Sequence, residues 1–322
     1  MTFDQIIGHN RQKDILRRAI ASGRLAHAYL FEGPEGVGKK LVALAVARAV
    51  YCHRKTGCGT CSACRKVDHN NHPDLHMVEP AGAGVKIDQI RELQRELAYR
   101  PLEGTKKICI IDQADTLNPA AGNALLKTLE EPPGEAMLIL LASRPERLLT
   151  TIRSRCQRLP FRRLSREQIR DVLVDKLGLD ETEAHIHAAL SDGSFTRAFG
   201  RNREAFEALR REALQRLTSG NMTDALERLK LAEYLDARKD ELDDILEIVQ
   251  SFLRDVLHRR LGRPEEEIVN LDHLDEIDAM ARRESLQGLL DKLTALVEAR
   301  SQLERNINRH LAMNVLIQKL AA

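Results

Sequence analysis

A glycine-rich segment near the start of the chain limits the possible folds more than any other part of the sequence does. Gly33–Lys39 reads Gly-Pro-Glu-Gly-Val-Gly-Lys and fits the phosphate-loop pattern G-x-x-x-x-G-K. The apolar run Ala28–Phe31 before it predicts a buried strand, and Lys40–Val50 after it predicts a largely apolar helix. A strand, a glycine loop and a helix in this order predict an α/β domain that binds phosphate through backbone amides and the helix N-terminus.

One position of this loop departs from the pattern of an ATPase. The backbone at Gly33, Gly36 and Gly38 is expected to curl around phosphate, and Lys39 is expected to reach the β- and γ-phosphates. The next residue is Lys40, where a serine or threonine hydroxyl normally holds Mg²⁺. An ammonium group cannot ligate a cation and repels one, so the metal site is expected to be altered.

The catalytic end of a second strand departs as well. Lys107–Asp112 predicts a central strand that ends in the acidic residue of P-loop ATPases, Asp112. Such ATPases usually place next a glutamate that activates water, whereas this chain has Gln113, a very poor proton acceptor. Asp115 is a weak substitute. The two changes favour a fold kept for architecture without hydrolysis. ATP binding without hydrolysis stays open, and retained ATPase activity is the alternative.

Four of the six cysteines form a cluster, with five, two and two residues between them: Cys52, Cys58, Cys61 and Cys64. Four thiolates this close together are typical of a tetrahedral Zn²⁺ site, and Gly57 and Gly59 permit the tight turns that it needs. A closed four-cysteine site has no open position, so the zinc is expected to be structural. The alternatives are four reduced free thiols, or a nearby histidine as one ligand, from among His53, His69, His72 and His76.

The pattern of elements predicts more than one domain. Helices are predicted at 11–21, 87–99 and 118–129, and Met137–Ala142 predicts a third strand, which together indicate a parallel sheet with helices on both faces. Beyond about residue 161 the patterns are helical only. They include a capping box at Ser165 and Gln168, breaks at 192–194 and 220–221, and long amphipathic stretches at 245–260 and 286–320. We expect domains at 1–162, 163–220 and 221–322.

The charge balance excludes some functions. With 50 Lys and Arg against 48 Asp and Glu, the formal net charge is +2, unlike that of a protein coated for indiscriminate DNA binding. The chain has neither an apolar signal-peptide core at its start nor an apolar stretch of about 18 residues, so we expect a cytoplasmic protein with no membrane partner.

Two further polar segments bear on phosphate chemistry. Ser143 follows the strand Met137–Ala142, where ATPases of the AAA+ type place a polar sensor of the γ-phosphate. Arg153, Arg155 and Arg158 lie close together, and on sequence alone such a group is most often a solvated surface turn.

Taken together, the motifs resemble the AAA+ clamp-loader subunits of bacterial DNA polymerase III. The resemblance covers roughly the first 200 residues, and beyond them it rests only on helical character and Asn306–Asn308. It depends on Ile7–His9, the phosphate loop, the cysteine cluster directly after its helix, the segment Asn123–Pro132 with Leu-Glu-Glu-Pro, and Ser154–Cys156. It implies an α/β AAA+ P-loop domain with a parallel sheet, followed by an all-α lid domain and an all-α collar domain that joins a ring of subunits.

The resemblance also implies roles and partners. Motor subunits of this family (gamma and tau) carry Gly-Lys-Thr and Asp-Glu, so Lys40 and Gln113 favour the non-motor delta-prime branch. Arg155 of Ser-Arg-Cys would then act as a finger that reaches the ATP of a neighbouring subunit, and Arg197 would match the second sensor of the lid. The implied partners are the gamma/tau motor subunits, the delta subunit, the sliding clamp and, through the complex, primed DNA.

Two other functions remain open from the sequence. One is an ATP-hydrolysing motor subunit of the same machine. The other is a zinc-knuckle nucleic-acid-binding protein, for which basic and aromatic residues should be interleaved around the cysteines. Tyr51 is the only aromatic residue near them among Phe, Tyr and Trp, so the second reading has little support.

Overall fold

The computed structural model describes residues 2–82, 84–200, 203–219, 224–304 and 308–321. It contains two compact units. The first comprises Met1–Gln168 with Gly193–Arg197, and the second comprises Ile169–Asp192 with Ala198–Ala322. The predicted break at 220–221 lies outside the described residues, as do Asn306 and Ile307 of the resemblance. The division of the helical region into two domains stays a prediction.

A five-stranded parallel sheet forms the centre of the first unit. Its strands stand in the order β2-β3-β4-β1-β5. Their bounds are β1 Ala28–Glu32, β2 Leu75–Val78, β3 Lys107–Ile111, β4 Ala136–Ala142 and β5 Gln157–Pro160. The sequence predicted β1, β3 and β4, the three longest and most apolar strands. It did not predict β2 and β5, which are four residues each and lie at the two edges.

Within the described residues of this unit, six α-helices accompany the sheet: α1 Asn10–Ala21, α2 Lys39–Tyr51, α3 Ser62–Asp68, α4 Ile87–Ala98, α5 Pro119–Glu130 and α6 Thr150–Arg155. Side chains of a strand alternate between faces, so each central strand contributes to two cores. Phe31 and Ile110 pack with residues of α1 and α2 on one face, while Leu30 and Ile111 pack with residues of α4 and α5 on the other. The predicted layering with helices on both faces is therefore confirmed.

Local signals set both ends of α5, a helix that the sequence predicted at 118–129. The side chain of Asn118 accepts a hydrogen bond from the amide of Ala121 at 2.8 Å and caps the helix, and Pro119 occupies its first position. Proline cannot continue a helix, and the helix ends at Glu130, just before the prolines that follow it. Glu130 is thus placed at the end of α5 that precedes β4.

The chain beyond β5 is helical throughout its described part. The helices are α7 Arg166–Leu177, α8 Glu181–Leu190, α9 Phe195–Gly200, α10 Arg203–Ser219, α11 Ala225–Ala237, α12 Leu242–Arg260, α13 Leu274–Arg283, α14 Leu286–Glu304 and α15 Arg309–Ala321. The predicted capping box is present, since Ser165 Oγ accepts from the Gln168 amide at 3.2 Å and Gln168 Oε1 accepts from the Ser165 amide at 3.1 Å. The stretch predicted at 286–320 consists of two helices.

Helix α12 lies at the centre of the second unit. It packs against α10, α13 and α14, and its Phe252 and Val256 are fully buried. Asp255, also buried on this helix, accepts hydrogen bonds from the amides of Val269 and Asn270 at 3.1 and 2.7 Å. Crossing a bilayer requires a long, apolar helix, and none of the helices within the described ranges meets that requirement.

Candidate functional site

The phosphate loop connects the end of β1 to the start of α2, as predicted. Its glycines have positive φ angles of 148° at Gly33, 76° at Gly36 and 102° at Gly38. A Cβ atom at Gly33 would lie 2.1 Å from the carbonyl oxygen of Phe161, and one at Gly36 would lie 2.0 Å from Ser194 Oγ. Glycine is therefore required at these two positions both for the backbone angle and for the close packing behind the loop.

Lys39 lies inside this loop and is bonded to it. Its Nζ donates to the carbonyl oxygens of Gly33 and Pro34 at 2.6 and 2.7 Å, and to Ser143 Oγ at 3.3 Å. Only 8% of Lys39 is exposed, and this burial lowers the pKa of its ammonium despite the acidic residues nearby. The structure thus brings Lys39 and Ser143 together, as a phosphate-binding lysine and a sensor would require.

Asp115 positions the sensor residue. Its carboxylate accepts a hydrogen bond from the Ser143 amide at 3.0 Å and another from the Arg144 amide at 3.2 Å. Both oxygens are therefore engaged in fixing the backbone just after β4. Asp115 is accordingly a poor replacement for the missing catalytic glutamate, and its place in the site is structural.

Lys40 bridges two carboxylates next to the loop. Its Nζ lies 2.6 Å from Glu79 Oε1 and 3.1 Å from Asp112 Oδ2. Partial burial opposes its charge, but the hydrogen bonds to Glu79 and Asp112 prevail and raise the pKa of Lys40. Asp112 is the residue that would otherwise hold Mg²⁺, and the chain itself supplies a cation there. The residues present therefore do not fit Mg²⁺, whereas the glycines and Lys39 do fit a phosphate group.

Gln113 stands where an ATPase would place its general base. It is exposed, has a φ angle of 47°, and its amide donates to Asp112 Oδ1 at 3.0 Å. A carboxamide has no basic oxygen comparable to a carboxylate, so it can orient water but not deprotonate it. The structure thus places the two altered positions, Lys40 and Gln113, on either side of Asp112.

Two segments distant in sequence cover the loop. The amide of Thr196 donates to the carbonyl of Gly36 at 3.2 Å, and the amide of Arg197 donates to Ser194 Oγ at 3.3 Å. The predicted second-sensor residue Arg197 is therefore on a segment that contacts the loop. On another side, His9 Nε2 is 2.7 Å from the Val37 carbonyl oxygen, and burial lowers the pKa of His9. This contact links the segment Ile7–His9 to the phosphate loop.

Arg155 is the last residue of α6 and is held by Glu130. Its Nη2 lies 2.6 Å from Glu130 Oε1, and its Nη1 donates to the Thr151 carbonyl at 3.1 Å. The side chain remains 36% exposed. This pair joins the Leu-Glu-Glu-Pro and Ser-Arg-Cys motifs, which are far apart in the sequence.

The register of the sheet places Arg155 away from the phosphate loop of its own chain. Gln157, the first residue of β5, pairs with Tyr29 in parallel strands, and Arg155 precedes β5, so Arg155 lies at the end of the sheet where β1 begins. The loop begins at Gly33, after the opposite end of β1. The extended chain from Tyr29 to Gly33 alone spans about 13 Å, and Arg155 lies further from the loop than Gln157 does, beyond the reach of an arginine side chain.

The neighbouring arginines have other partners. Arg158 donates from Nε and Nη2 to Glu32 Oε2, at 3.0 and 2.9 Å, near the end of β1. Arg153 Nη2 donates to Thr150 Oγ1 at 3.4 Å within its own helix. The three arginines therefore do not form one surface patch with equivalent roles.

The four clustered cysteines converge as the metal prediction requires. The sulfur atoms of Cys52, Cys58, Cys61 and Cys64 all lie within 4.8 Å of one another, and Cys58 and Cys64 are 4.0 Å apart. Zn–S bonds of about 2.3 Å in a tetrahedron give sulfur separations of about 3.8 Å, so the cluster can hold such an ion. Burial raises the pKa of Cys64 to about 12, and a bound cation would oppose this shift by stabilising the thiolate.

The cysteine centre is attached directly to the phosphate-loop helix. Cys52 follows α2, and Arg48 of that helix is buried and forms an ion pair with Asp68 of α3. A side chain at Gly57 would contact Arg48 Cδ at 3.3 Å.

The last residue of α2 is also bonded to the strands. Tyr51 Oη donates to the Asp74 carbonyl at 2.5 Å and accepts from the Ile108 amide at 3.1 Å. The centre therefore fixes one end of α2, and the loop forms the other.

The nearby histidines do not take part in this cluster. The ring of His72 stacks on Tyr51 with centroids 3.8 Å apart, and His69 Nδ1 lies 2.7 Å from the Arg65 carbonyl oxygen. Within the described residues, the group that could hold a metal consists of the four cysteines alone. The alternative of a histidine ligand is therefore not favoured.

The fold and the site together define the class of this chain, which is that of a P-loop α/β protein. At the position that normally holds Mg²⁺ it has Lys40, and at the position that normally activates water it has Gln113. The family model described as DNA polymerase III, delta subunit matches residues 8–165, and the model of its C-terminal part matches 204–321. The chain belongs to the family of DNA polymerase III delta-prime subunits, since it is 32% identical over 330 residues to DNA polymerase III subunit delta' of Bacillus subtilis (strain 168), covering 96% of this chain and 95% of that protein. The predicted fold class, a parallel α/β sheet domain followed by helical regions, is confirmed.

Other relatives match shorter parts. DNA polymerase III subunit delta' of Pseudomonas aeruginosa is 40% identical over 136 residues, covering 41% of this chain and 42% of that protein. DNA polymerase III subunit tau of Escherichia coli (strain K12) is 36% identical over 192 residues, covering 59% of this chain and 30% of that protein. Among solved structures, a gamma subunit-related protein of Thermotoga maritima has a TM-score of 0.45 and 20% identity, covering 95% of this chain and 97% of that one.

Some residues of the site were not predicted. Glu79 and Glu130 each pair with a predicted site residue, and Asp115 positions Ser143 rather than replacing the glutamate. The Leu-Glu-Glu-Pro motif was a signal for Glu130, but a sequence alone does not show which of its two glutamates faces Arg155. Glu79 carried no local signal, because it follows an edge strand that was itself not predicted.

Proposed function

We propose that this chain is a non-motor subunit of the DNA polymerase III clamp loader that helps load the sliding clamp onto primed DNA. In this role Arg155 reaches the ATP of a neighbouring gamma/tau motor subunit. The family membership supports the clamp-loader assignment, and the loss of the magnesium ligand at Lys40 and of the general base at Gln113 supports the non-motor assignment.

The position of Arg155 is the observation that carries the proposal. It is partly exposed, and it lies at the end of the sheet opposite to the phosphate loop of its own chain. A guanidinium that acts on phosphate from this position has to act on another chain's nucleotide. In the isolated chain Glu130 holds Arg155 near the surface. Because both side chains are more than a third exposed, this ion pair is weak enough for Arg155 to leave it and bind a phosphate group instead.

The chemistry of arginine suits this task. Its guanidinium is always charged and offers planar, forked donors that match phosphate oxygens. A finger arginine stabilises charge on the transferred phosphoryl group, and in other systems it contributes about 10³ to 10⁵ in rate. The subunit would thus accelerate hydrolysis in its neighbour while performing none itself.

The remaining parts have supporting roles in this proposal. Zn²⁺ held by the four cysteines would fix the end of α2 and supply structural stability only, since four thiolates leave no open position. Residues 163–220 would form the lid and residues 221–322 the collar that joins the motor and delta subunits in a ring in the cytoplasm. Arg197 would serve as the lid residue beside the phosphate loop.

The test is reconstitution with the motor and delta subunits of the same organism. We expect the chain to co-purify with them and to raise the DNA-stimulated ATPase and the rate of clamp loading. A complex that assembles and loads clamps equally well without this chain would contradict the proposal. If the chain were instead a motor, the purified chain alone would hydrolyse ATP.

A further inference from the structure

A cation of the chain itself lies where a P-loop ATPase holds its metal ion. In those enzymes Mg²⁺ is held between a loop serine or threonine and the acidic residue at the strand end. Here Lys40 occupies the first position, and its Nζ is 3.1 Å from Asp112, which occupies the second. A divalent ion would lack one ligand and would also meet an ammonium group, so it is disfavoured for two separate reasons.

We propose that Lys40 replaces the metal ion, so that this loop binds a nucleoside di- or triphosphate as the metal-free anion. The inference concerns the chain's own loop and goes beyond the role of Arg155, which acts on a neighbour's nucleotide. The ligand class is a nucleoside polyphosphate that is not complexed with a divalent cation.

The charges at the four motif positions support the replacement. A motor site combines a lysine, Mg²⁺, an aspartate and a glutamate, and these carry one net positive charge. Lys39, Lys40, Asp112 and the neutral Gln113 carry the same net charge. The two substitutions therefore compensate each other, because the site loses a divalent cation, gains an ammonium and loses a carboxylate. Glu79 adds a negative charge, but its side chain is 60% exposed and is screened by solvent.

The position of Lys40 also suits this role. It is the second residue of α2, directly after Lys39, so both ammonium groups start from the helix end that favours anions. The two carboxylates hold its Nζ in place, and its side chain remains 42% exposed and accessible to a ligand. The structure thus has a fixed and charged ammonium at the position where a mobile ion would otherwise be recruited.

Equilibrium dialysis of ATP and of ADP, with excess EDTA or excess Mg²⁺, tests the proposal on the full chain. The wild type should bind at least as tightly in EDTA as in Mg²⁺. Lys40→Thr restores the hydroxyl and should reverse the preference by about tenfold in favour of Mg²⁺. Lys40→Met removes the charge without supplying a metal ligand and should weaken binding by about tenfold in both buffers.

Two controls locate the effect. Lys39→Ala should abolish binding in both buffers, and Lys319→Met, which removes a lysine paired with Glu298 at 2.7 Å in the second unit, should change nothing. Wild-type binding that is tighter in Mg²⁺ than in EDTA would overturn the proposal, and so would binding that survives Lys39→Ala. No saturable binding in either buffer would also overturn it, while leaving the trans role of Arg155 untouched.

Discussion

One buried carboxylate holds the connection between α4 and β3, and it offers a sharp test of the first unit. Asp74 is fully buried, and its Oδ1 accepts from the Leu102 amide at 2.7 Å. Its Oδ2 accepts from the amides of Glu103 and Gly104 at 2.9 and 2.6 Å. Asp74→Asn keeps the shape but turns an NH₂ group toward one of these amides. The new NH₂ group would then be a buried donor without an acceptor, and the carboxylate charge would be lost. Together these two effects should lower the free energy of unfolding by about 2–4 kcal/mol at pH 7.

The stabilisation by the Asp74 carboxylate should depend on pH in one direction. Burial alone would raise the pKa of Asp74, but the three backbone amides prevail and lower it. The carboxylate's contribution is therefore fully present above the unfolded pKa of about 3.9 and is lost as the pH falls through the lower folded value. The difference between wild type and Asp74→Asn should stay constant from pH 7 to about pH 5 and shrink below about pH 4.

Urea unfolding and amide hydrogen exchange at residues 102–104 measure the effect, globally and locally. The matched control is Asp14→Asn, whose carboxylate is 54% exposed and lies 3.5 Å from Arg17. This exposed pair should contribute less than about 1 kcal/mol. If both variants lose the same stability at pH 7, or if exchange at residues 102–104 is unchanged in Asp74→Asn, the assigned role of Asp74 is wrong.

Two further predictions concern the sites. Protein purified without chelator should contain about one zinc per chain, and Cys64→Ser should lose it while Cys109→Ser, in a buried strand, should retain it. Absence of zinc after expression in zinc-replete medium would contradict the metal assignment. The isolated chain should show no significant ATPase, and the double change Lys40→Thr with Gln113→Glu should recover some turnover. Wild-type hydrolysis that Lys39→Ala abolishes would contradict this reading.

The sequence predicted what depends on local pattern and little of what depends on distant contacts. The loop at Gly33–Lys39 and the cysteine spacing carry their geometry in consecutive residues, so both sites could be located. The edge strands β2 and β5 were not predicted, because four residues show too little periodicity.

Pairings between distant segments were the other gap. Glu79 with Lys40, Glu130 with Arg155 and the Asp74 amide cluster each join residues that the chain separates by about 25 positions or more. The order of the strands in the sheet determines which of these residues meet, and that order cannot be read from a single sequence. Asp115 shows the same limit, because only the position of β4 reveals that it holds Ser143.

The central claim is that Arg155 acts on the nucleotide of a neighbouring subunit. The direct measurement is DNA-stimulated ATPase and clamp loading in a reconstituted complex that contains Arg155→Ala, with Arg158→Ala as the matched control. Arg155→Ala should leave assembly intact and lower both rates, Arg155→Lys should restore them poorly because it loses the fork, and Arg158→Ala should have little effect. If the complex with Arg155→Ala assembles normally and loads clamps at the wild-type rate, the arginine is only part of the surface and the claim is contradicted.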